Sequence, residues 1–211
     1  MPLPLRDQFF ESSRGRIVDR LRRGGQTVDE LTSALDLTDN AVRVQLASME
    51  RDGLVRRTAM RRGPTRPSNV FELTPELEQL LSRAYVPLLT QLVRAFAERQ
   101  PAEEFDALMR EAGRGLARDS ATRVPNGPLA ERAAAASRFL NSELGALTDV
   151  EQPDGALVIR GHGCPLAALT GKHPGVCHAI ESLLAEMLGA RVHECCDRRE
   201  RPRCCFHVAL A

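Results

Sequence analysis

All six cysteines of this 211-residue chain lie from Cys164 onward. Twelve residues separate Cys164 from Cys177, seventeen more lead to the doublet Cys195-Cys196, and seven separate that doublet from Cys204-Cys205. A deprotonated thiol is a soft ligand for zinc and iron and a redox-active group. Six in so short a stretch exceed what burial as small apolar side chains explains. The closely spaced pairs of a structural zinc site are missing, and dispersed thiolates arriving from several elements suit an iron–sulfur cluster at least as well as zinc. Successive side chains on a strand point to opposite faces. Each doublet, if on a strand, therefore offers one thiolate to a shared centre: Cys164, Cys177, one of Cys195 and Cys196, and one of Cys204 and Cys205. Histidines crowd the same region, and His173 or His162 is an alternative fourth ligand. Pro174 places Cys177 in the first turn of a helix, where free N–H groups favour a thiolate.

A second group of chemically capable residues lies far upstream. Arg56, Arg57, Arg61, Arg62 and Arg66 crowd a segment punctuated by Gly63, Pro64 and Pro67, the composition of a hairpin tip with cations for phosphates or the minor groove. Just before it, Thr38, Asn40, Arg43, Gln45 and Ser48 form the polar side of a helical pattern, and Asn, Gln and Arg suit the base edges of a major groove. The whole chain carries a formal charge of only +1, which excludes a uniformly basic nucleic-acid coat protein. Affinity for a double-stranded DNA operator must come from this local cluster.

The elements that must position these groups follow from periodicity. A helix is predicted over Leu5 to Leu21, ended by Gly24-Gly25. Thr27 and Glu30 form a capping box before the Val28, Leu31, Leu35 stripe. Thr38 caps a helix to about Arg51 with Val42, Leu46 and Met49 inward. Strand-like runs Leu54 to Thr58 and Val70 to Leu73 flank the arginine loop, completing a winged helix-turn-helix. Thr74-Pro75 opens a long helical pattern from Leu77 to Phe96, kinked or split by Pro87, whose stripe includes Leu81 and Leu88 and suits packing of a homodimer. A helix over about Pro101 to Arg118 precedes the loop Pro125-Asn126-Gly127-Pro128. Helices at Leu129 to Leu144 and Pro174 to Leu188 then alternate with strand-like runs at 146–150, 156–159, 191–196 and 204–210. The expected class is α+β: residues 1–74 a DNA-binding domain, 75–125 a helical dimerisation segment, 126–211 a small antiparallel sheet with helices carrying the cysteines.

No run approaches the roughly 20 apolar residues of a membrane span, and no signal peptide is evident, so a cytoplasmic location without membrane association is expected. In that reducing compartment the cysteines are expected to be ligands or redox-active thiols rather than structural disulfides. A metal-dependent enzyme using the C-terminal Cys and His is a third reading, which no Ser-His-Asp order, phosphate-cradling glycine loop or H-E-x-x-H helix supports, so a non-enzyme is expected.

The stretch Val28 to Thr74, with Glu30-Leu31, Val42-Arg43, Leu46, Gly53-Leu54-Val55 and the wing from Arg62-Gly63-Pro64 to Phe71-Glu72-Leu73-Thr74, resembles the winged domains of ArsR/DeoR-like bacterial repressors. Gly163-Cys164-Pro165, His173-Pro174 to Cys177, Leu188-Gly189 and the paired cysteines before Phe206 resemble the SufR-like iron–sulfur regulators. That resemblance implies a transcription regulator whose DNA affinity responds to a [4Fe–4S] or [2Fe–2S] cluster, with zinc as the alternative metal. From each doublet it favours Cys196 and Cys204, whose seven-residue separation resembles the family's. Cys204 also shares a strand face with Phe206 and Val208. Thr38, Asn40, Arg43 and Gln45, with Arg61, Arg62 and Arg66 of the wing, are the expected DNA contacts.

Overall fold

A computed structural model describes residues 4–62, 67–120 and 124–209. The chain forms two compact units, residues 1–83 and 84–211.

The first unit contains α1 (Pro4–Glu11), α2 (Ser13–Leu21), α3 (Val28–Leu35), α4 (Asp39–Arg51), the antiparallel hairpin β1 (Val55–Arg62) and β2 (Pro67–Leu73), and α5 (Pro75–Leu81). The single first helix expected from the sequence is two. Ser12 adopts an extended backbone and its hydroxyl accepts from the Gly15 N–H at 3.1 Å, starting a new helix. Gly15 permits the tight corner, since a Cβ there would lie 1.9 Å from the Phe9 carbonyl oxygen. The capping box forms with both arms: the Glu30 N–H reaches Thr27 Oγ1 at 3.3 Å and the Thr27 N–H reaches Glu30 Oε2 at 2.8 Å. Asp36, in left-handed conformation, turns α3 into α4. Ile17, Val18, Leu31, Val42, Leu46, Met49, Val55, Phe71 and Leu73 close the core. The hairpin is longer than expected. Arg61 and Arg62 belong to β1 and Pro67 to β2, and residues 63–66, with Arg66 among them, lie outside the described residues.

Of the two outcomes expected at Pro87, a kink or a split of the Leu77 to Phe96 pattern, the structure has the split. The pattern breaks between Leu81 and Tyr85, where Ser82 is extended, and α6 (Tyr85–Arg99) begins afresh with Pro87 in its first turn. A proline has no N–H for the carbonyl four residues back, here that of Arg83, and its ring clashes with it, so the helix must start just before the proline. The break also separates the stripe's members. Leu77 and Leu81 pack on the core of the first unit, whereas Leu88 and Leu92 of α6 are exposed.

The second unit continues with α7 (Ala102–Asp119), α8 (Leu129–Glu143), β3 (Thr148–Glu151), β4 (Leu157–Gly161), α9 (Ala167–Thr170), a 3-10 turn at Pro174–Val176, α10 (Cys177–Leu188), β5 (Arg191–Glu194) and β6 (Cys205–Ala209). The sheet runs β3-β4-β6-β5, each pair antiparallel. Its inner face, with Leu157, Ile159, Phe206 and Val208, packs with Ala133, Ala136, Phe139 and Leu140 of α8 and Leu183, Leu184 and Leu188 of α10. Gly113 lets α7 lie directly on α10: a Cβ there would stand 2.0 Å from the Ala179 carbonyl oxygen. This α+β architecture, a helix-turn-helix with a hairpin wing followed by helices and a cysteine-bearing four-stranded sheet, agrees with the class expected from the sequence.

Candidate functional site

The outward side of α4 is built by the burial of its other side. With Val42, Leu46 and Met49 at 0–1% exposure, helical periodicity turns Asn40, Arg43, Val44 and Ala47 to solvent. Thr38 caps the helix, its Oγ1 accepting from the Ala41 N–H at 3.2 Å. Arg43 is held by an i, i+4 ion pair, Nε to Asp39 Oδ2 at 2.7 Å, which raises its already high pKa. Gln45 and Ser48, expected on the exposed side, are half-buried. Gln45 lies beside the apolar stripe, which its side chain flanks.

A cleft of about 500 Å3 separates α4 from the hairpin, lined by Arg43, Ala47, Glu50, Arg57, Pro67 and Asn69. The hairpin arginines whose side chains are described are all paired: Arg56 to Glu72 at 3.8 Å, Arg57 to Glu50 at 2.8 Å, and Arg61 to Glu30. Arg61 also donates to the Gly25 carbonyl at 3.2 Å, and Arg57 lies over the Phe71 ring, 5.7 Å from its centroid. Exposed pairs of this kind contribute about 0–1 kcal/mol each, weak enough to yield to a phosphate. The side chains of Arg62 and Arg66 are outside the described set.

In the second unit the cysteines sort into two groups. Cys195 and Cys205 form a disulfide, with Cα atoms 4.8 Å apart, while Cys164, Cys177, Cys196 and Cys204 are free. A disulfide runs against the expectation of thiols throughout. The alternation argument nonetheless finds a structural counterpart. β5 ends at Glu194 and β6 starts at Cys205, so Cys195, Cys196 and Cys204 flank the strands. Yet one member of each doublet meets its opposite number in the disulfide and the other faces the remaining cysteines. The loop between them is closed by paired backbone hydrogen bonds between Asp197 and Arg203, at 3.0 and 2.8 Å.

The four free thiols are linked in sequence. Cys177 neighbours Cys196, Cys196 neighbours Cys204, and Cys204 neighbours Cys164, while the Cys196 thiol donates to the Cys205 carbonyl at 3.6 Å. Cys164 is lowered to about 7: the Cys204 thiol supplies the largest effect, burial opposes it, and the Leu166 N–H and Thr170 hydroxyl assist. Cys177, the first residue of α10 and 4% exposed, was expected to be the thiolate. It is instead pushed strongly up by the neighbouring Cys196 thiol and by burial, which outweigh Arg198. Cys196 is pushed up to about 12: the Cys177 thiol pulls it down, but the Cys204 thiol and burial prevail. Cys204 is likewise pushed up to about 12, chiefly by the Cys164 thiol. One side of this chain is an apolar cavity wall of Leu140, Ile180, Phe206, Cys164, Cys177 and Cys204.

The backbone holds the thiols in place. The Gly161 N–H donates to the Cys204 carbonyl at 2.8 Å and the Cys204 N–H to the Gly163 carbonyl at 3.3 Å, joining the Cys164 loop to the start of β6. Glu194 accepts from the Cys196 N–H at 2.6 Å and pairs with Arg198, which also reaches Cys177. Arg198 escaped the sequence reading. Nothing local distinguishes it from Arg199, which pairs with Asp197 at the exposed turn. Of the alternative ligands, His162 pairs with Asp149 at 2.7 Å, and His173 lines a separate cleft with Phe105, Lys172, His178 and Arg198. Cys195, Cys205 and His207 bring their ligand atoms within 4.8 Å of one another, so this group could hold a metal ion. Its two sulfurs are bonded to each other and must be reduced before they ligate.

Among the described residues, no helix is long and apolar enough to cross a membrane. Comparison with curated proteins finds no match. Residues 11–58, which run from the end of α1 through α4 into the first wing strand, match the model of a helix-turn-helix domain family, and this ArsR-like domain implies DNA binding and a role in transcriptional regulation.

Proposed function

We propose that the protein is a transcription regulator whose operator affinity is set by an iron–sulfur cluster on Cys164, Cys177, Cys196 and Cys204. The observation that carries this reading is the contact of four free, largely desolvated thiols drawn from four separate places in the chain. The donor set fits: all sulfur, one thiol already lowered to about 7, and three held protonated by neighbouring thiols and burial, whose protons a metal would displace. The linear arrangement favours a polynuclear centre. A single tetrahedral zinc with bonds of about 2.3 Å needs its four sulfurs all within about 4 Å of one another. When bound, the cluster supplies a redox-sensitive and labile link between α10 and the 196–204 loop. The protein's own part is to desolvate the thiols, to hold Cys164 ready to bind, and to set Arg198 beside Cys177 as a counter-charge.

In this reading residues 1–74 bind double-stranded DNA through Asn40, Arg43 and the wing, with Thr38 and Gln45 at the edges of the contact. Residues 75–125 supply homodimer contacts, and 126–211 sense, in the cytoplasm where thiols stay reduced. The exposed apolar residues of α6, Tyr85, Val86, Leu88, Leu89, Leu92 and Phe96, support the dimer, and two-fold symmetry suits paired half-sites. Anaerobic purification with visible spectroscopy, iron and sulfide analysis, and operator titration of holo and apo protein tests the proposal. A brown, iron- and sulfide-containing protein whose operator affinity changes on cluster loss is expected. Colourless, iron-free protein after anaerobic reconstitution overturns it. A zinc or thiol-redox regulator is the second reading, favoured by the Cys195–Cys205 disulfide and its neighbour His207.

A further inference from the structure

Val44 stands at the middle of the outward face of α4 with 57% of its surface exposed, one turn after Asn40, beside Arg43 and one turn before Ala47. The fold makes little use of it. The buried stripe of this helix is complete with Val42, Leu46 and Met49, and a β-branched residue at an exposed helical position is a poorer helix former than Ala, Lys or Glu. An apolar side chain that costs helix propensity and packs against nothing in its own core is a local inconsistency of the kind found where a partner binds. Met60 of β1 and Leu80 of α5 are also exposed. Val44, however, shares its face with Asn and Arg, the side chains that pair with base edges. A helix with that face enters the major groove, and the apolar feature the major groove offers is the C5 methyl group of thymine.

Resting on the DNA-binding reading above, we infer that Val44 is a specificity-determining residue: it packs on a thymine methyl, so that each operator half-site carries a thymine opposite the centre of α4. Arg43 adds direction to this contact, since its ion pair with Asp39 holds the guanidinium on the N-terminal side of Val44. The thymine is therefore flanked on that side by the base pair or phosphate that Arg43 and Asn40 address.

The test begins by selecting tight-binding duplexes from a randomised pool with the full-length protein. Each thymine of the selected site is then replaced singly by deoxyuridine, which removes only the methyl group. Wild-type affinity is expected to fall about fourfold at one thymine per half-site, the transfer value of one methyl-sized group. Val44→Ser should bind thymine and uracil duplexes equally, and Val44→Thr, which keeps one methyl, should restore the preference. Because Val44 is exposed, circular dichroism and thermal unfolding should be unchanged in both variants. If no single uracil weakens wild-type binding, or if Val44→Ser keeps the full uracil penalty, the assignment of Val44 is overturned while DNA recognition stands. If the protein selects no sequence at all, the DNA-binding reading falls and this inference with it.

Discussion

Replacing Glu50 with Gln unties Arg57 without touching the core. The pair spans 2.8 Å between α4 and β1 at the mouth of the cleft, and Arg57 retains its seat over the Phe71 ring. Loss of an exposed ion pair costs less than about 1 kcal/mol of stability, so thermal unfolding should hardly move. DNA binding should change in the opposite sense, because one negative charge leaves the cleft and one guanidinium becomes available to a phosphate. One added phosphate contact steepens the dependence of log affinity on log salt by about 0.9. Across a fourfold rise in salt, from about 50 to about 200 mM, that slope amounts to a factor of about 3.5. The ratio of Glu50→Gln to wild-type affinity should therefore be about 3.5 times larger at the lower salt. Fluorescence anisotropy with a labelled duplex at three or four salt concentrations gives both slopes. An unchanged or shallower slope in the variant would refute the argument, since it would mean that Arg57 does not reach the backbone or that Glu50 is what aims it.

Cys164→Ser and Cys177→Ser should lose bound iron in parallel with the visible spectrum, whereas Cys195→Ser should retain it; full iron in the first two would exclude them as ligands. Glu181→Ala should destabilise the second unit by about 2–4 kcal/mol, because it strands the Arg110 guanidinium and the Glu194 N–H that now meet its carboxylate at 2.5 and 2.9 Å. Burial raises the Glu181 carboxyl, but Arg110 and the Glu194 N–H together bring it below its ordinary 4.5. Its contribution is thus fully present above that value and fades as pH falls through the lower folded value. Urea titrations at pH 7 and below 4.5 should show the wild-type advantage over Glu181→Gln shrinking, and a constant difference would contradict it. Leu88→Glu combined with Leu92→Glu, at residues 59% and 47% exposed, should turn a dimer into a folded monomer in sedimentation experiments, and a monomeric wild type would end the dimer proposal.

The helix-turn-helix was legible in the sequence because its signals are local. The Thr27–Glu30 capping box, the Thr38 cap and the Val42, Leu46, Met49 stripe each act within a few residues, and each forms as read. Local signals also set limits. Ser12 reads as part of one continuous helix, and the close approach of Gly15 to the Phe9 carbonyl that accompanies the new helix start involves the preceding helix. The apolar stripe from Leu77 to Phe96 was visible as a period. Its division at Ser82, which sends Leu81 to one core and leaves Leu88 exposed, depends on what each half packs against.

The cysteine count, its confinement to the last quarter of the chain and the one-per-doublet rule were also available from the residues. Which cysteine of each doublet joins the other free thiols is favoured as Cys196 and Cys204 through the family resemblance, since from the residues alone a shift of one position exchanges them. Those two are the free ones; Cys195, Cys196 and Cys204 lie just outside the strands, and the β4-β6-β5 register, with Leu157 opposite Val208 and Glu194 opposite Phe206, brings those strand ends together. It joins Cys195 to Cys205 and turns Cys196 and Cys204 toward Cys177 and Cys164. The acidity of the four thiols lies further still from the primary structure. Cys177 was expected to be acidic from its place at a helix start, yet Cys164 is the one lowered, because a thiol's acidity here depends on its neighbouring thiols and on how deeply it is buried. Contacts between residues more than ten positions apart exist only after the sheet and α10 have packed, so no local pattern could encode them.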